Sequence, residues 1–321
     1  MSSVVHSGIW SEDFRPNSIK DCILPPRLMN PLSEIVEQGA GNFPHIIFAG
    51  PPGSGKTTSA IALAKDIGAS YIKINGSDEN GIDVLRGKVR SFASTTSLTS
   101  DCPIKIVIFD EADHLNATST QPALRGFIDE FSNTCRFIFT CNYKERILSP
   151  VTSRVASLSF VFTKEESDAM KPQAFARLSK MLLDLGIEFN PKALAGVVQK
   201  YFPDLRQTIT VLQSYALESG GKIDTGILSL CSKNKVTELF ALLKEKSFSS
   251  VRKLIAETPE LINAEFYTAM YGALSTHLKA SSVPAAILIL ADYQDKSCRP
   301  CNQEIVSTAC AIEIMKDCEF L

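Results

Sequence analysis

Gly50-Pro51-Pro52-Gly53-Ser54-Gly55-Lys56-Thr57 places a glycine, four residues and then Gly-Lys-Thr in one short run. Glycines at these spacings let the backbone curl so that successive N–H groups converge on an anion. In that pattern Pro52, Gly53, Ser54 and Gly55 form a phosphate cradle and Lys56 is spaced to reach the β- and γ-phosphates. Thr57 offers a hydroxyl to Mg²⁺, and Thr58 follows it. A second cluster, Asp110-Glu111, closes the apolar run Lys105-Ile106-Val107-Ile108-Phe109. Asp110 is a candidate Mg²⁺ ligand, and Glu111 a candidate base for the water that attacks a γ-phosphate. Asn142 ends another apolar run, Arg136 to Cys141, where its amide either orients that water or is an ordinary strand-end turn residue. Together these residues imply binding and hydrolysis of a nucleoside triphosphate.

The flanking elements are those such chemistry requires. His45-Ile46-Ile47-Phe48-Ala49 reads as a buried parallel strand, and the Ala-rich run after Thr57 reads as a helix whose N-terminus adds partial positive charge. Ser70–Asn75 is a second strand, followed by the polar turn cluster Asn75 to Asp83. The next helix carries Arg86 and Arg90 at i, i+4 on one face, suited to two phosphates of a backbone or simply to solvent. Residues 1–44, with Phe14, Arg15 and Ile23, are either a surface connection or an apolar slot for the nucleotide base.

The strand–helix rhythm stops near Phe162, so the fold class is α/β then all-α. Thr163 with Glu166 forms a capping box, Pro172 delays or restarts the helix that follows, and Asn190-Pro191 starts another. Asp204 caps a third, which puts Arg206 in a first turn, where a cation opposes the helix dipole unless it faces a phosphate. About five more amphipathic helices fill the remainder and carry no catalytic constellation.

Composition narrows the class. The chain has 321 residues, 45% hydrophobic and 21% charged, enough for two or three domains with real cores. A net charge of −2 means that any contact with nucleic acid is made through a local patch. No run approaches the length of a membrane span and the first residues lack a signal pattern, so a cytoplasmic, membrane-free protein is expected. Nine cysteines in such a chain read as free thiols. Cys298 and Cys301, with Cys310 and Cys318, have the wrong spacing for zinc.

With these residues assembled, the chain resembles the sliding-clamp-loader subunits of the AAA+ class along nearly its whole length. Phe14-Arg15-Pro16 resembles the adenine-side motif of loader subunits, and Asn75-Gly76-Ser77-Asp78 with Gly81 to Arg86 resembles their template-tracking segment. Asn142 matches sensor 1, and Pro203-Asp204-Leu205-Arg206 resembles the sensor 2 segment of the lid. Ser149 to Arg154 resembles the Ser-Arg-Cys motif, whose arginine reaches a neighbouring subunit's ATP site, with Val155 in place of the cysteine. Gln121 and Arg125 match positions linking neighbouring sites to the DNA-facing helix, although Pro122 and Gly126 interrupt that helix's usual sequence. Cys22 to Pro25, Phe92 to Ser94, Phe202 to Asp204 and Gly226 to Leu230 resemble the large-subunit branch of T4-type bacteriophage loaders.

The resemblance implies an AAA+ P-loop domain (1–162), a helical lid (163–230) and a helical collar for oligomerisation (231–321). It implies ATP and Mg²⁺ as cofactors. The implied partners are a sliding clamp, primer–template DNA, a different small subunit and further copies of this chain, four to one in a pentamer. Arg86 and Arg90 become DNA contacts, and Arg154 a residue acting in trans. Alternatives are a small replication factor C-type subunit of a cellular loader, an AAA+ protein remodeller, and a non-hydrolysing scaffold. The polar Asn75–Asp83 segment speaks against the remodeller, and intact Lys56, Asp110, Glu111 and Arg154 against the scaffold.

Overall fold

The computed structural model describes residues 8–39, 43–77, 82–94, 102, 104–228, 235–258, 261–262, 265–297 and 302–321. The Cys298–Cys301 pair, Asp78 to Gly81, and Ser229 and Leu230 lie outside them. The chain divides into two units, Met1–Leu228 and Ser229–Leu321.

The first unit is built on five parallel strands: β1 (Ile46–Ala49), β2 (Tyr71–Asn75), β3 (Lys105–Asp110), β4 (Cys135–Cys141) and β5 (Ala156–Ser159), in the order β2-β3-β4-β1-β5. Its central strands are apolar on both faces, as a sheet covered by helices on two sides requires. In β1, Ile46 and Phe48 join Leu28, Leu32, Ala60 and Leu63 on one face. Ile47 and Ala49 join Phe109, Phe139, Leu124 and Phe127 on the other. The Phe109 and Phe139 rings stack with centroids 5.3 Å apart.

Helices α1 (Trp10–Asp13) and α2 (Pro26–Gln38) precede β1, and α3 (Lys56–Asp66) follows the glycine loop. α4 (Ile82–Ser94) links β2 to β3, α5 (Thr120–Phe131) links β3 to β4, and the short α6 (Ser149–Thr152) precedes β5. α5 runs unbroken through Pro122 and Gly126. Pro122 is its third residue, where a backbone N–H has no partner within the helix, so proline costs little there.

Three longer helices complete this unit: α7 (Lys164–Asp184), α8 (Pro191–Tyr201) and α9 (Leu205–Glu218). Thr163 and Glu166 make the reciprocal capping box, and Asn190 and Asp204 cap α8 and α9 through Lys192 N and Gln207 N. Pro172 neither delays nor restarts α7, contrary to the sequence reading. It lies on the exposed face, where water can satisfy the carbonyl its ring frees, while Met170, Ala174, Leu178 and Met181 hold the helix by their burial. A second difference is a two-stranded parallel pairing, β6 (Glu188–Phe189) with β7 (Lys222–Ile223), in a region that reads as purely helical. Two residues per strand are too few for a legible alternation.

The second unit contains five helices among the described residues: Lys235–Lys244, Phe248–Glu257, Glu265–His277, Val283–Ser297 and Gln303–Asp317. Val236, Leu239, Phe240 and Leu243 share its core with Leu254, Phe266, Met270 and Ile314. Cys310 and Cys318 are buried thiols there, with Cys310 pushed up to about 12 by burial. Among the described residues, no helix is long and apolar enough to cross a membrane.

Candidate active site

The register of the parallel strands brings the chemistry to one edge. Ala49 pairs with Cys141 and Asn75 with Asp110, so the segments leaving β1, β2, β3 and β4 emerge together at the C-terminal ends of the strands. In the glycine loop, Gly53 and Gly55 take φ values of +72° and +91°, and Gly55 is the N-cap of α3. Lys56 begins that helix with only 8% of its surface exposed. Its Nζ donates to Gly50 O and Pro51 O at 2.7 Å each and to Asn142 Oδ1 at 3.0 Å. Burial lowers the pKa of the ammonium from the usual lysine range, and the nearby Arg206 adds to this while Asp113 and Asp110 oppose it. Such an amine gains when phosphate oxygens replace neutral carbonyls.

Asp110 closes β3 and takes three partners. Its Oδ1 accepts from Thr57 Oγ1 and from Thr140 Oγ1, both at 2.6 Å, and its Oδ2 lies 3.6 Å from Lys73 Nζ. Thr57 and Asp110 therefore stand as adjacent hard oxygen donors beside the cradle, a set that fits Mg²⁺ with phosphate and water completing the shell. Glu111 follows in the left-handed region at φ +53°, its N–H bonded to Thr140 Oγ1 at 3.1 Å. That turn swings its side chain away from the strand direction, and Ser77 Oγ donates to its Oε2. Asn142 sits one residue beyond β4. Its N–H, like that of Tyr143, donates to Asp113 Oδ2 at 3.1 Å, which sets the direction of the amide toward Lys56.

A cavity of about 420 Å³ opens beside these groups. Phe14, Arg15, Ile23, Thr58 and Arg206 all line it, so the N-terminal segment wraps the cavity. Two helices tie that segment down. Asp66 of α3 accepts from Ser18 Oγ at 3.0 Å and Ile19 N at 2.7 Å. Arg177 of α7 donates to Asp21 O at 2.7 Å and Phe14 O at 3.0 Å. Arg15 is paired with Glu12 at 2.7 Å. Arg206 is exposed on the first turn of α9, at the cavity wall.

The remaining sequence-derived residues lie away from the cavity lining. Arg154 Nε donates to Asp129 Oδ1 at 2.8 Å and its Nη1 to Pro150 O at 2.9 Å. Gln121 is buried and fully engaged: Nε2 donates to Leu115 O and Arg146 O, and Oε1 accepts from Leu148 N at 2.8 Å. It thereby ties the loop after β3 to the loop after β4 that leads to Arg154. Arg125 is exposed, its Nε 3.7 Å from Asp129 Oδ2. Arg86 and Arg90 are exposed on α4, and Arg90 Nη2 is 3.3 Å from Glu130 Oε2.

Several site residues escaped the sequence reading. Thr140, Ser77 and Asp113 support the carboxylates and Asn142, and each sits next to a recognised motif. Arg177, Lys180 and Met181 line the cavity from α7 at i, i+3, i+4, a spacing that marks one helical face but does not say what the face meets.

Residues 46–162 match the family model of the ATPase family associated with various cellular activities. Residues 166–229 match the lid domain of the sliding-clamp-loader large subunit, AAA+ ATPase. The chain is 35% identical over 261 residues to the replication factor C small subunit of Saccharolobus solfataricus, covering 78% of this chain and 76% of that one. It is 35% identical over 285 residues to the sliding-clamp-loader large subunit of Enterobacteria phage T4, covering 87% and 86%. Among solved structures, the Thermotoga maritima RuvB Holliday junction branch migration motor superposes with a TM-score of 0.52 over 77% of this chain and 87% of that one. At 17% identity that likeness speaks for the fold alone. A glycine cradle, an Asp-Glu strand end and a lid of this type on one chain, with relatives at this identity and coverage, place it: the chain belongs to the sliding-clamp-loader family of AAA+ ATPases.

Proposed function

We propose that this chain is the ATP-hydrolysing large subunit of a phage-type sliding-clamp loader, present in several copies beside a different small subunit. The observation that carries the ATP-hydrolysing part of the reading is the convergence of Lys56, Asp110, Glu111 and Asn142 on one cavity, with Arg154 held elsewhere on the surface. The likeness of the lid and of the chain to a phage large subunit supports the rest. In this reading residues 1–162 form the ATPase domain, 163–230 the lid and 231–321 the oligomerising collar.

On binding ATP, Lys56 exchanges its carbonyl partners for β- and γ-phosphate oxygens. Thr57 and Asp110 would supply the protein ligands of a Mg²⁺, which would neutralise phosphate charge. Glu111, released from Ser77, takes the proton of a water that Asn142 orients, and that water displaces ADP from the γ-phosphate. Phe14, Arg15 and Ile23 hold the base, and Arg206 meets the phosphates from the lid. Arg154 completes the neighbouring copy's site when the subunits assemble. Gln121 and Arg125 relay occupancy between the sites and α4, whose Arg86 and Arg90 contact primer–template DNA. Clamp opening is thereby tied to ATP binding, and release on DNA to hydrolysis.

The test is ATP turnover by the chain co-purified with its small subunit, with and without clamp and primer–template DNA, alongside the mass of the complex. Stimulation of about tenfold or more by clamp and DNA together, abolished by Lys56→Ala, is the expected result. An assembled complex indifferent to both would overturn the proposal. Assembly with one larger, distinct subunit instead would favour a small replication factor C-type role.

A further inference from the structure

Asp129 lies on α5 one turn after Arg125, and its carboxylate is shared by two arginines. Oδ1 accepts from Arg154 Nε at 2.8 Å and Oδ2 from Arg154 Nη2 at 3.4 Å, a two-pronged pairing that fixes the plane of the guanidinium. Pro150 O takes Nη1 at 2.9 Å and Ser153 Oγ lies 3.5 Å from the same nitrogen. These four contacts use four of the five N–H groups that a guanidinium carries, leaving one Nη2 hydrogen over for a phosphate. Arg125 Nε stands 3.7 Å from Oδ2, the more weakly used oxygen. The hydrogen bond from Arg154, followed by the charges of both arginines, holds the Asp129 carboxyl below the usual carboxylate range, so it stays charged at neutral pH.

An arginine without such a partner would sample many rotamers, and each assembly event would have to order it again. Gln121 fixes the loop that carries Arg154 from one side by bonding Arg146 O and Leu148 N. Asp129 fixes the side chain itself from the other. Both sit on α5, so a shift of that helix moves the loop and the guanidinium together.

From this geometry we infer that Asp129 is a positioning residue for Arg154. It pre-orients the guanidinium toward the neighbouring subunit's γ-phosphate, and Arg125, on the same carboxylate, sets how firmly that hold is kept. The inference rests on the reading of Arg154 as acting in trans. Asp129 does not line its own chain's cavity. Its effect is on the direction of Arg154, and a misplacement near 1 Å costs about 10²-fold in rate.

The experiment compares assembled loaders carrying Asp129→Asn, Asp129→Glu, Arg154→Ala and the Asp129→Asn/Arg154→Ala double substitution, measuring kcat and KM for ATP with clamp and primer–template DNA present. Native mass checks each assembly. Asp129→Asn is expected to lower kcat about tenfold to a hundredfold with KM changed less than about twofold. Asp129→Glu should recover most of the loss, and the double variant should be no slower than Arg154→Ala. A wild-type kcat for Asp129→Asn beside a depressed Arg154→Ala would overturn this inference and leave the trans reading standing. A wild-type kcat for Arg154→Ala would overturn the trans reading and Asp129's role with it. If neither Asp129→Asn nor Asp129→Glu assembles, the carboxylate is structural and the inference fails.

Discussion

Gly53 and Asp204 touch. A Cβ built on Gly53 would stand 1.9 Å from Asp204 Oδ1, the oxygen that accepts from Gln207 N at 2.8 Å and so caps α9. The phosphate cradle and the helix that carries Arg206 thus meet where the cradle has no side chain. Under the proposed function, this contact would set how near Arg206 comes to the phosphates.

Gly53→Ala should therefore act on both partners. Alanine at φ +72° is strained by about 1–2 kcal/mol. Pushing Asp204 aside would uncap α9 at a cost of about 1 kcal/mol. ATP affinity measured by calorimetry should fall about tenfold or more, along with the thermal midpoint. Wild-type affinity would mean that cradle and lid part before nucleotide binds.

Glu111→Gln keeps the shape of the side chain and its neighbour Ser77 but removes the proposed base. Turnover should drop about 10²–10⁴-fold while ATP binding persists, whereas Lys56→Ala should weaken binding itself. Single-turnover hydrolysis and nucleotide titration separate the two, and turnover at the wild-type rate in Glu111→Gln would exclude it as the base.

Arg86 and Arg90 are exposed on one face of α4 in a chain whose net charge is −2. Replacing both with alanine should weaken primer–template affinity in the assembled loader and flatten its salt dependence by about one to two units of log–log slope. An unchanged slope would remove this face from the DNA contact.

Arg154 does not line its own chain's cavity, so the action in trans proposed for it is open to complementation. Mixing an Arg154→Ala chain with a Lys56→Ala chain in one assembly should restore activity at those interfaces where an intact Lys56 site meets an intact Arg154. An arginine supplied this way is worth about 10³–10⁵ in rate, so even a minority of restored interfaces is measurable. Activity no greater than that of either mutant assembled alone would place Arg154 within its own chain or outside catalysis.

His45 offers a pH test of the sheet. Its Nδ1 accepts from Phe137 N at 3.1 Å, and burial, aided by the charge of Arg136, lowers its pKa from 6.5 to about 4. Between those values the unfolded chain binds a proton that the folded chain does not. The neutral ring's contribution is thus whole above pH 6.5 and is lost as the pH falls toward 4. The thermal midpoint of the wild type should fall between pH 7 and pH 5 by more than that of His45→Asn. Equal decrements would show that other groups govern the acid limb.

The residues proposed to meet phosphate are legible in the sequence because that chemistry is local. A cradle needs consecutive N–H groups, so Gly50 to Thr57 announces itself within eight positions. Asp110, Glu111 and Asn142 were legible because parallel strands deliver their last residues to one edge, and buried strands such as Lys105–Asp110 are plain apolar runs. The caps at Thr163, Asn190 and Asp204 were likewise local. What the tertiary structure alone decided depends on pairs distant in sequence. Burial of the α7 core overrode Pro172, and the pairing of β6 with β7 arises from two segments each too short to carry a period. No spacing announces that Arg177 reaches Phe14 and Asp21, that Asp129 holds Arg154, or that Asp204 rests on Gly53. Such contacts are selected by the packing of whole helices against the sheet, a sum over many side chains that no single stretch of sequence contains.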